Sequence, residues 1–229
     1  MINVPVERKV LNENDRVAGF LRTSLNASGT LSLNFIGSPG SGKTAFLERT
    51  LQMLPPHTRA VVLTGDLQTE ADATRLARYG YPVRQIITAG ACHLDARMVE
   101  KHLEGWEMEG LDFLFIENVG NLVCPTSYDL GEDAKVVVLS VTEGEEKPLK
   151  YPGIFRKAEL MILNKVDLLP YVPFNLELAI ENARSMNPDI QIIETCSLTG
   201  KGFDEWLTWL AMRADRKQSA EVVDAGTVQ

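Results

Sequence analysis

The chain has 229 residues, of which 45% are hydrophobic and 24% are charged, and its formal net charge is −8. This length allows one α/β domain with a substantial core, and the composition is that of an ordinary globular protein. The acidic balance excludes a general binder of nucleic acids or acidic membranes, because both kinds of partner require clustered lysine and arginine.

The chain shows no sequence feature of a targeting or membrane segment. Its first residues, MINVPVERKV, lack an apolar stretch of the signal-peptide type, and no uninterrupted apolar run approaches membrane-spanning length. We therefore expect a cytoplasmic protein that contacts neither membrane nor nucleic acid. The three cysteines are few and odd in number, which favours free thiols or metal ligands over a disulfide framework.

The predicted elements begin with an amphipathic helix at residues 8–25, within an N-terminal helical segment of residues 1–30. Strand-like and helix-like runs then alternate. The predicted strands cover residues 31–37, 60–64, 83–88, 111–116, 136–141, 160–163 and 190–195. The predicted helices cover residues 43–53, 70–79, 94–106, 176–186 and 203–212. This alternation predicts an α/β fold with a mostly parallel sheet, helices on both faces and ligands at the carboxyl ends of the strands.

The domain organisation follows from the same alternation. All of the predicted strands lie in one domain, residues 31–213, and the sequence contains neither an internal repeat nor a clear second domain. Residues 214–229 have few large apolar groups, and we predict that they form a mobile tail.

A phosphate-binding loop is predicted directly after the first strand. Its residues match GxxxxGK[ST] in full and lie between a strand and a helix: Gly37, Ser38, Pro39, Gly40, Ser41, Gly42, Lys43 and Thr44. The glycines allow backbone N–H groups to converge on phosphate oxygens, and the positive helix end adds to that field. Lys43 is expected to reach the β- and γ-phosphates, and the Thr44 hydroxyl to bind Mg²⁺. These features predict a P-loop NTPase fold.

Guanine recognition is predicted from the NKxD motif formed by Asn164, Lys165 and Asp167. The Asp167 carboxylate can accept hydrogen bonds from guanine N1–H and from the exocyclic amine, whereas adenine offers neither donor there. A polar group left unpaired by the wrong base can discriminate by roughly 10⁴-fold. Ser197 and Leu198 follow the next strand and are candidates to complete the base pocket. GTP is therefore the predicted nucleotide.

Three acidic residues are candidates to bind Mg²⁺ or to orient the attacking water. Glu117 ends a predicted strand and, with Gly120 three residues later, resembles the DxxG element of GTPases, although glutamate replaces the usual aspartate. Glu117 would hold Mg²⁺ through water, and the Gly120 N–H would sense the γ-phosphate. Asp66 also lies at a strand end, and Asp72 follows six residues later. The alternatives, in which Asp66 is a helix N-cap and Asp72 lies on a solvated face, carry the same weight as these functional roles.

A candidate metal site combines Cys92, His93 and Cys124, since thiolate and imidazole ligands suit Zn²⁺ and Ni²⁺. Three protein ligands leave a tetrahedral site open, so water or a second subunit would complete it. Spacing alone favours the alternative, in which Cys92 is a small buried hydrophobic residue and His93 starts a helix, because no CxxC or HxxxH pair is present. Cys196, beside the predicted base pocket, is interpreted as a packing residue.

These motifs resemble those of the nickel-incorporation GTPases of [NiFe]-hydrogenase maturation, which belong to the SIMIBI class of P-loop GTPases. The resemblance extends from residue 11 to about residue 210. It rests on the segments LNENDRVAGFLR, NFIGSPGSGKT, ACHLDA, IENVGNLVCP, SVTEGEEKPLKYP and NKVD. IENVGNLVCP and CHLDA together are highly specific to that family.

The resemblance implies that Cys92, His93 and Cys124 bind Zn²⁺ or Ni²⁺ at a homodimer interface. It further implies GTP-dependent dimerisation and nickel delivery to the hydrogenase large subunit, with another hydrogenase-maturation protein as partner. Lys150 looks like a residue that reaches the partner subunit's nucleotide. Ala45, counted with the nucleotide-binding residues, stands where a second hydroxyl residue often follows the phosphate loop.

Three alternative functions fit parts of the sequence. A urease nickel chaperone is a related GTPase, but its family motif is Cys-Pro-His, whereas this chain has Cys92-His93 and a separate Cys124. A small-molecule kinase would use the same phosphate loop, and the NKxD motif argues against it. In a non-catalytic metal carrier, the nucleotide would serve to stabilise the fold, and measured GTP turnover would separate that case.

Overall fold

A computed structural model describes residues 4–66 and 71–226 of the chain. The strands in these residues are β1 (Leu31–Gly37), β2 (Ala60–Asp66), β3 (Val83–Ile87), β4 (Phe113–Glu117), β5 (Ala134–Ser140), β6 (Leu160–Asn164) and β7 (Gln191–Glu194). The α-helices are α1 (Val4–Ala27), α2 (Lys43–Met53), α3 (Ala71–Leu76), α4 (Ala96–Leu103), α5 (Lys147–Lys150), α6 (Pro152–Lys157), α7 (Leu176–Met186) and α8 (Phe203–Gly226). Short 3₁₀ helices lie at Ala77–Tyr79, Cys124–Ser127 and Val166–Tyr171.

The strands form one sheet in the order β3-β2-β4-β1-β5-β6-β7, and every pairing between neighbours is parallel. The central strand β1 is buried along its whole length, as expected for a strand covered by helices on both faces. Phe35 of β1 lies in register with Glu117 of β4. The phosphate loop and the acidic end of β4 therefore meet at the carboxyl edge of the sheet. The predicted α/β fold with a parallel sheet is confirmed.

Apolar layers on both faces of the sheet hold the helices against it. One layer contains ring contacts with centroid separations of 5.0–6.0 Å among Phe35, Phe46, Phe115, Phe203 and Trp206. These rings fix α2, the helix after the phosphate loop, between the central strands and α8. On the other face, α1 and α4 pack against β2 and β4 through buried side chains that include Val17, Val99 and Ile116.

Two helices between β5 and β6 are absent from the prediction. Both α5 and α6 are shorter than two turns, and each has a proline in its first turn, Pro148 and Pro152. Proline fits the first turn of a helix because its missing N–H has no partner there, but in a sequence it is easily interpreted as a break. The predicted helix at 94–106 is also shorter, because Asp95 caps α4 by accepting a hydrogen bond from Met98 N at 2.8 Å.

The last helix corrects the predicted tail. It was expected to end at residue 212, but α8 continues to Gly226, so most of the segment 214–229 is helical. Lys217 fastens the added turns by donating to Thr30 O and to Asp133 Oδ2, each at 2.6 Å. The apolar pattern of the sequence did not predict these turns, because Lys217 holds them through polar contacts and not through a row of buried apolar side chains. No helix in the described part of the chain has the length and apolar character needed to cross a membrane.

Candidate functional site

The phosphate loop connects β1 to α2, and its conformation requires glycine at two positions. A Cβ atom on Gly37 would lie 2.5 Å from Val138 O, so the loop passes too close to β5 for any side chain. Gly42 has a φ of 95°, and a Cβ atom there would lie 2.5 Å from Asn164 Nδ2. The loop is therefore packed tightly against the two strands that follow it in the sheet, with its backbone fixed before any ligand arrives.

Lys43 is buried at the start of α2, and its ammonium group points back into the loop. Its Nζ donates to Gly37 O at 3.1 Å and to Ser38 O at 3.2 Å. Burial lowers the pKa of the Lys43 ammonium group. A cation held among carbonyl oxygens at the centre of the loop is the arrangement that a phosphate-binding role requires.

Glu117, the last residue of β4, is buried beside the phosphate loop. Its Oε1 accepts a hydrogen bond from Thr44 Oγ1 at 2.7 Å, and its Oε2 accepts one from Thr64 Oγ1 at 3.5 Å. Burial raises the pKa of the Glu117 carboxyl to about 7, although the nearby Lys43 acts in the opposite direction. The predicted pair of oxygen donors, one hydroxyl and one carboxylate, is therefore assembled at one point.

These groups line a cavity of about 420 Å³ at the carboxyl edge of the sheet. Its walls also include both further acidic candidates, Asp66 and Asp72, together with Gly120 and Ala45. The sequence did not single out Arg75, which lies on the same wall. Arg75 is held by Glu48 at 2.5 Å and by Asp72 at 3.3 Å. Asp72 is thus part of the cavity wall and of an ion-pair network.

The predicted base-binding residues lie beside the phosphate loop. Asn164 Nδ2 donates to Ser41 O at 3.2 Å, and Lys165 Nζ donates to Gly40 O at 2.6 Å, so both side chains brace the loop. Asp167 lies in the first turn of the 3₁₀ helix Val166–Tyr171, and its side chain is exposed to solvent. The NKxD motif therefore supports the loop with its first two residues and presents the third to solvent.

The loop after β7 lies next to the predicted base-binding residues. Ser197 Oγ donates to Asn164 Oδ1 at 3.2 Å, and Leu198 is exposed beside it. Arg49 of α2 fixes the loop by donating to Ser197 O at 2.9 Å and to Leu198 O at 2.6 Å. The sequence did not identify Arg49, because its two acceptors are backbone carbonyls almost 150 residues away in the chain. Cys196 is buried, as its interpretation as a packing residue requires.

The structure brings Cys92, His93 and Cys124 together. Their ligand atoms all lie within 4.8 Å of one another, and the two cysteine Sγ atoms are 2.7 Å apart. The alternative of a buried hydrophobic Cys92 is wrong, since this residue is exposed. His93 stacks on the Tyr128 ring at a centroid separation of 3.8 Å, and burial lowers the pKa of its imidazole. An imidazole and two adjacent thiols form a soft donor set in which Cys92 is exposed to solvent and the other two residues are half-buried.

Lys150 is exposed and does not line the cavity of its own chain. Its Nζ is paired with Glu146 at 2.7 Å. Lys147, one helical turn earlier, instead donates to Ser38 Oγ at 3.3 Å. The described residues of one chain therefore place Lys147, rather than Lys150, next to the phosphate loop. A nucleotide contact from Lys150 would require a second subunit.

The raised pKa of Glu117 predicts how the ligand-free protein responds to pH. The folded state binds the proton more tightly than the unfolded state, so this contribution to stability is lost as pH rises through about 7. Between about pH 5.5 and pH 8 the loss is roughly 2 kcal/mol, or roughly 4–8 °C in Tm. Glu117→Gln removes the titration, so its Tm should fall less over this interval. Parallel melting curves for the two proteins across the interval would contradict the assignment.

Comparisons with known proteins agree with this geometry. The family described as "CobW/HypB/UreG, nucleotide-binding domain" matches residues 32–194. Hydrogenase maturation factor HypB from Azotobacter chroococcum mcd 1 is 48% identical over 96% of this chain and 72% of the relative. The crystal structure of HypB from Archaeoglobus fulgidus superposes with a TM-score of 0.83 at 41% identity, covering 89% of this chain and 99% of that one. HypB from Helicobacter pylori, solved in complex with nickel, gives a TM-score of 0.84 at 38% identity, covering 89% and 96%.

Proposed function

This chain belongs to the hydrogenase maturation factors of the CobW/HypB/UreG nucleotide-binding family, and we propose that it is a GTP-hydrolysing metallochaperone that delivers nickel during [NiFe]-hydrogenase maturation. The observation that carries the proposal is the cluster of Cys92, His93 and Cys124, one ligand of which lies four residues beyond Gly120 of the nucleotide cavity. A kinase function loses its support, since the matching relatives are maturation factors.

The phosphate loop and its supports would bind GTP. Backbone N–H groups of the phosphate loop, apart from Pro39, which has none, would face the phosphates, and Lys43 would compensate their charge. Asp167 is exposed where a base can reach it, and its acceptor oxygens match the N1–H and amine of guanine. Ser197 and Leu198 would close the base pocket from the other side. The fold and the brace of Asn164 and Lys165 on the loop support this assignment.

The donor set beside Lys43 fits Mg²⁺. Thr44 Oγ1 and the Glu117 carboxylate lie 2.7 Å apart on the cavity wall, and both are hard oxygen ligands. Asp66, at the end of β2, is a third candidate oxygen donor there. When bound, Mg²⁺ would neutralise charge on the β- and γ-phosphates.

Hydrolysis requires a water held in line with the γ-phosphate, and the protein offers carboxylates to orient it. Asp66 and Asp72 both line the cavity. Asp72 forms an ion pair with Arg75, and both residues lie on the wall of the cavity. Lys43 supplies positive charge that matches the charge developing on the transferred phosphoryl group, and Gly120 offers a backbone N–H to the γ-phosphate.

Nickel is the cargo in this proposal, with zinc as the competing metal. Two thiols and one imidazole leave a tetrahedral site one ligand short, and Cys92 is exposed at the surface. A second copy of the chain could cover this site, and a homodimer would also let Lys150 reach the nucleotide of the other subunit. Another maturation protein and the hydrogenase large subunit are the proposed partners, and the cytoplasm the proposed location.

The metal site and the nucleotide cavity share the chain segment from Glu117 to Cys124. If this segment shifts when the γ-phosphate leaves, Cys124 moves relative to Cys92 and His93. Metal affinity should then differ between the GTP and GDP states by roughly 5–150-fold, and linkage requires the metal to change the relative affinity for the two nucleotides equally.

Cys124→Ala should weaken nickel binding and remove most of this difference, because it deletes the one ligand on the shared segment. GTP binding by the monomer should be nearly unchanged, since Cys124 does not line the nucleotide cavity. Nickel titrations at fixed pH, with a non-hydrolysable GTP analogue and with GDP, measure both effects. Cys196→Ala is the matched control, because Cys196 is buried away from the cluster. A Cys124→Ala variant with wild-type nickel affinity would refute the assignment of this ligand.

A further inference from the structure

A row of buried polar side chains connects the central strands to the loop that carries Cys92 and His93. Asn34 of β1 is 0% exposed, and Asn118, directly after β4, is 1% exposed. Buried amides cost free energy unless their donors and acceptors are paired. Two buried amides that contact each other beside the central strands therefore point to a role that apolar side chains could not fill.

Hydrogen bonds join the row from end to end. Asn34 Nδ2 donates to Glu132 Oε1 at 3.2 Å, and Asn118 Nδ2 donates to Asn34 Oδ1 at 3.2 Å. Asn118 Oδ1 accepts from the backbone N–H of Leu94 at 3.2 Å. The row thus ends on the peptide unit that joins His93 to Leu94.

Hydrogen bonds at both ends of the row set the orientation of the two amides. Glu132 is paired with Lys135, and an ionised carboxylate can only accept hydrogen bonds, so Asn34 must present its NH₂ group to it. The oxygen of Asn34 then faces Asn118, which turns its own NH₂ group toward Asn34 and its oxygen toward Leu94. Asn118 Oδ1 also accepts from the backbone N–H of Val119 at 3.0 Å, so two backbone N–H groups hold its oxygen and Asn34 holds its NH₂ group.

Asn118 lies between the two functional sites. It directly follows Glu117 and lines the nucleotide cavity, whereas Leu94 directly follows a metal ligand and is itself fully buried. Displacement of the Glu117–Gly120 segment would move the Asn118 oxygen and, through it, the backbone beside His93. Movement of this segment would reach Cys124 through the backbone that joins them. It would reach Cys92 and His93 through the hydrogen bond between Leu94 N–H and Asn118 Oδ1.

We propose that Asn34 and Asn118 are positioning residues that transmit the nucleotide state to the Cys92-His93 side of the metal site. The inference rests on the proposed coupling between nucleotide and metal, and it adds the side-chain contacts that carry the coupling. Asn34 gives the sharper test, because it is neither a metal ligand nor a wall residue of the cavity.

The variant test measures nickel affinity of the full chain, with a non-hydrolysable GTP analogue and with GDP, in wild type and in Asn34→Leu. The leucine has the same branching and number of side-chain heavy atoms but cannot accept the hydrogen bond from Asn118, so the ratio of the two affinities should fall to within about twofold of one, from roughly 5–150-fold in wild type. Asn187→Leu is the control, since it also removes two amide hydrogen bonds, of 2.9 and 3.1 Å, far from both sites. Its ratio should remain that of wild type.

A second measurement needs no variant and so does not depend on whether Asn34→Leu folds. Hydrogen exchange of the Leu94 amide in wild type should differ at least severalfold between the two nucleotide states. Equal exchange in both states, or an undiminished affinity ratio in Asn34→Leu, overturns the inference while leaving the proposed function intact. A wild-type affinity ratio of one overturns the coupling in the proposed function, and the inference with it.

Discussion

Lys43→Ala is expected to abolish measurable GTP hydrolysis and to weaken nucleotide binding. The ammonium group lies buried between Gly37 O and Ser38 O, where a phosphate group would meet it in a site of low dielectric. Removal of one preorganised donor from such a site costs about 10²–10³-fold in turnover, and loss of a full charge should cost at least that much. Phosphate release at saturating GTP, together with a direct measurement of the GTP dissociation constant, separates turnover from binding.

The control for this variant is Lys101→Ala, which removes a lysine from the exposed surface of α4. It changes the net charge of the protein by the same amount without touching the cavity, and its turnover should equal that of wild type. Unchanged turnover in Lys43→Ala would mean that the phosphate loop is not the catalytic site.

Asp167→Asn should weaken GTP binding and relax the preference for guanine. The amide keeps the shape of the carboxylate but replaces one acceptor oxygen with a donor, which would face the guanine amine. Polar recognition of this kind can be worth roughly 10⁴-fold in discrimination, so a large part of the preference for GTP over ATP should disappear. Competition binding with GTP, ITP, XTP and ATP gives the relative affinities, and XTP should gain relative to GTP.

Asp189→Asn provides the matched change at an exposed aspartate remote from the cavity, and its nucleotide preferences should remain those of wild type. Identical relative affinities for the four nucleotides in Asp167→Asn and wild type would show that another group reads the base.

The phosphate loop and the succession of strands and helices along the chain were predictable because both depend on local signals, whereas the order of the strands within the sheet was not predicted. A continuous motif between a strand and a helix fixes its own backbone, and the packing of Gly37 against Val138 follows from that conformation. The phosphate-loop helix α2 also has the predicted bounds, 43–53. By contrast, α8 exceeded its prediction because Lys217 holds its later turns through contacts with residues far away in the chain.

The cluster of Cys92, His93 and Cys124 depends on tertiary structure, so the spacing of these residues in the sequence favoured the alternative in which Cys92 is a buried hydrophobic residue. Cys92 follows β3 and Cys124 follows β4, two strands on either side of β2, and the separation of 32 residues has no simple ligand pattern. The family resemblance, rather than the spacing, predicted the three candidate ligands together. The amide row at Asn34 gave no sequence signal, since a lone asparagine in an apolar strand shows neither its partner nor its direction.

The proposed function requires nucleotide binding to assemble a dimer that holds nickel, and native mass spectrometry of the full chain with nickel measures both properties at once. With a non-hydrolysable GTP analogue, we expect a dimer that retains nickel. With GDP we expect mainly monomer with less nickel, and Cys124→Ala should lose the metal in both states. A wild-type protein that stays monomeric and free of nickel with the GTP analogue would refute nucleotide-driven assembly of the metal site.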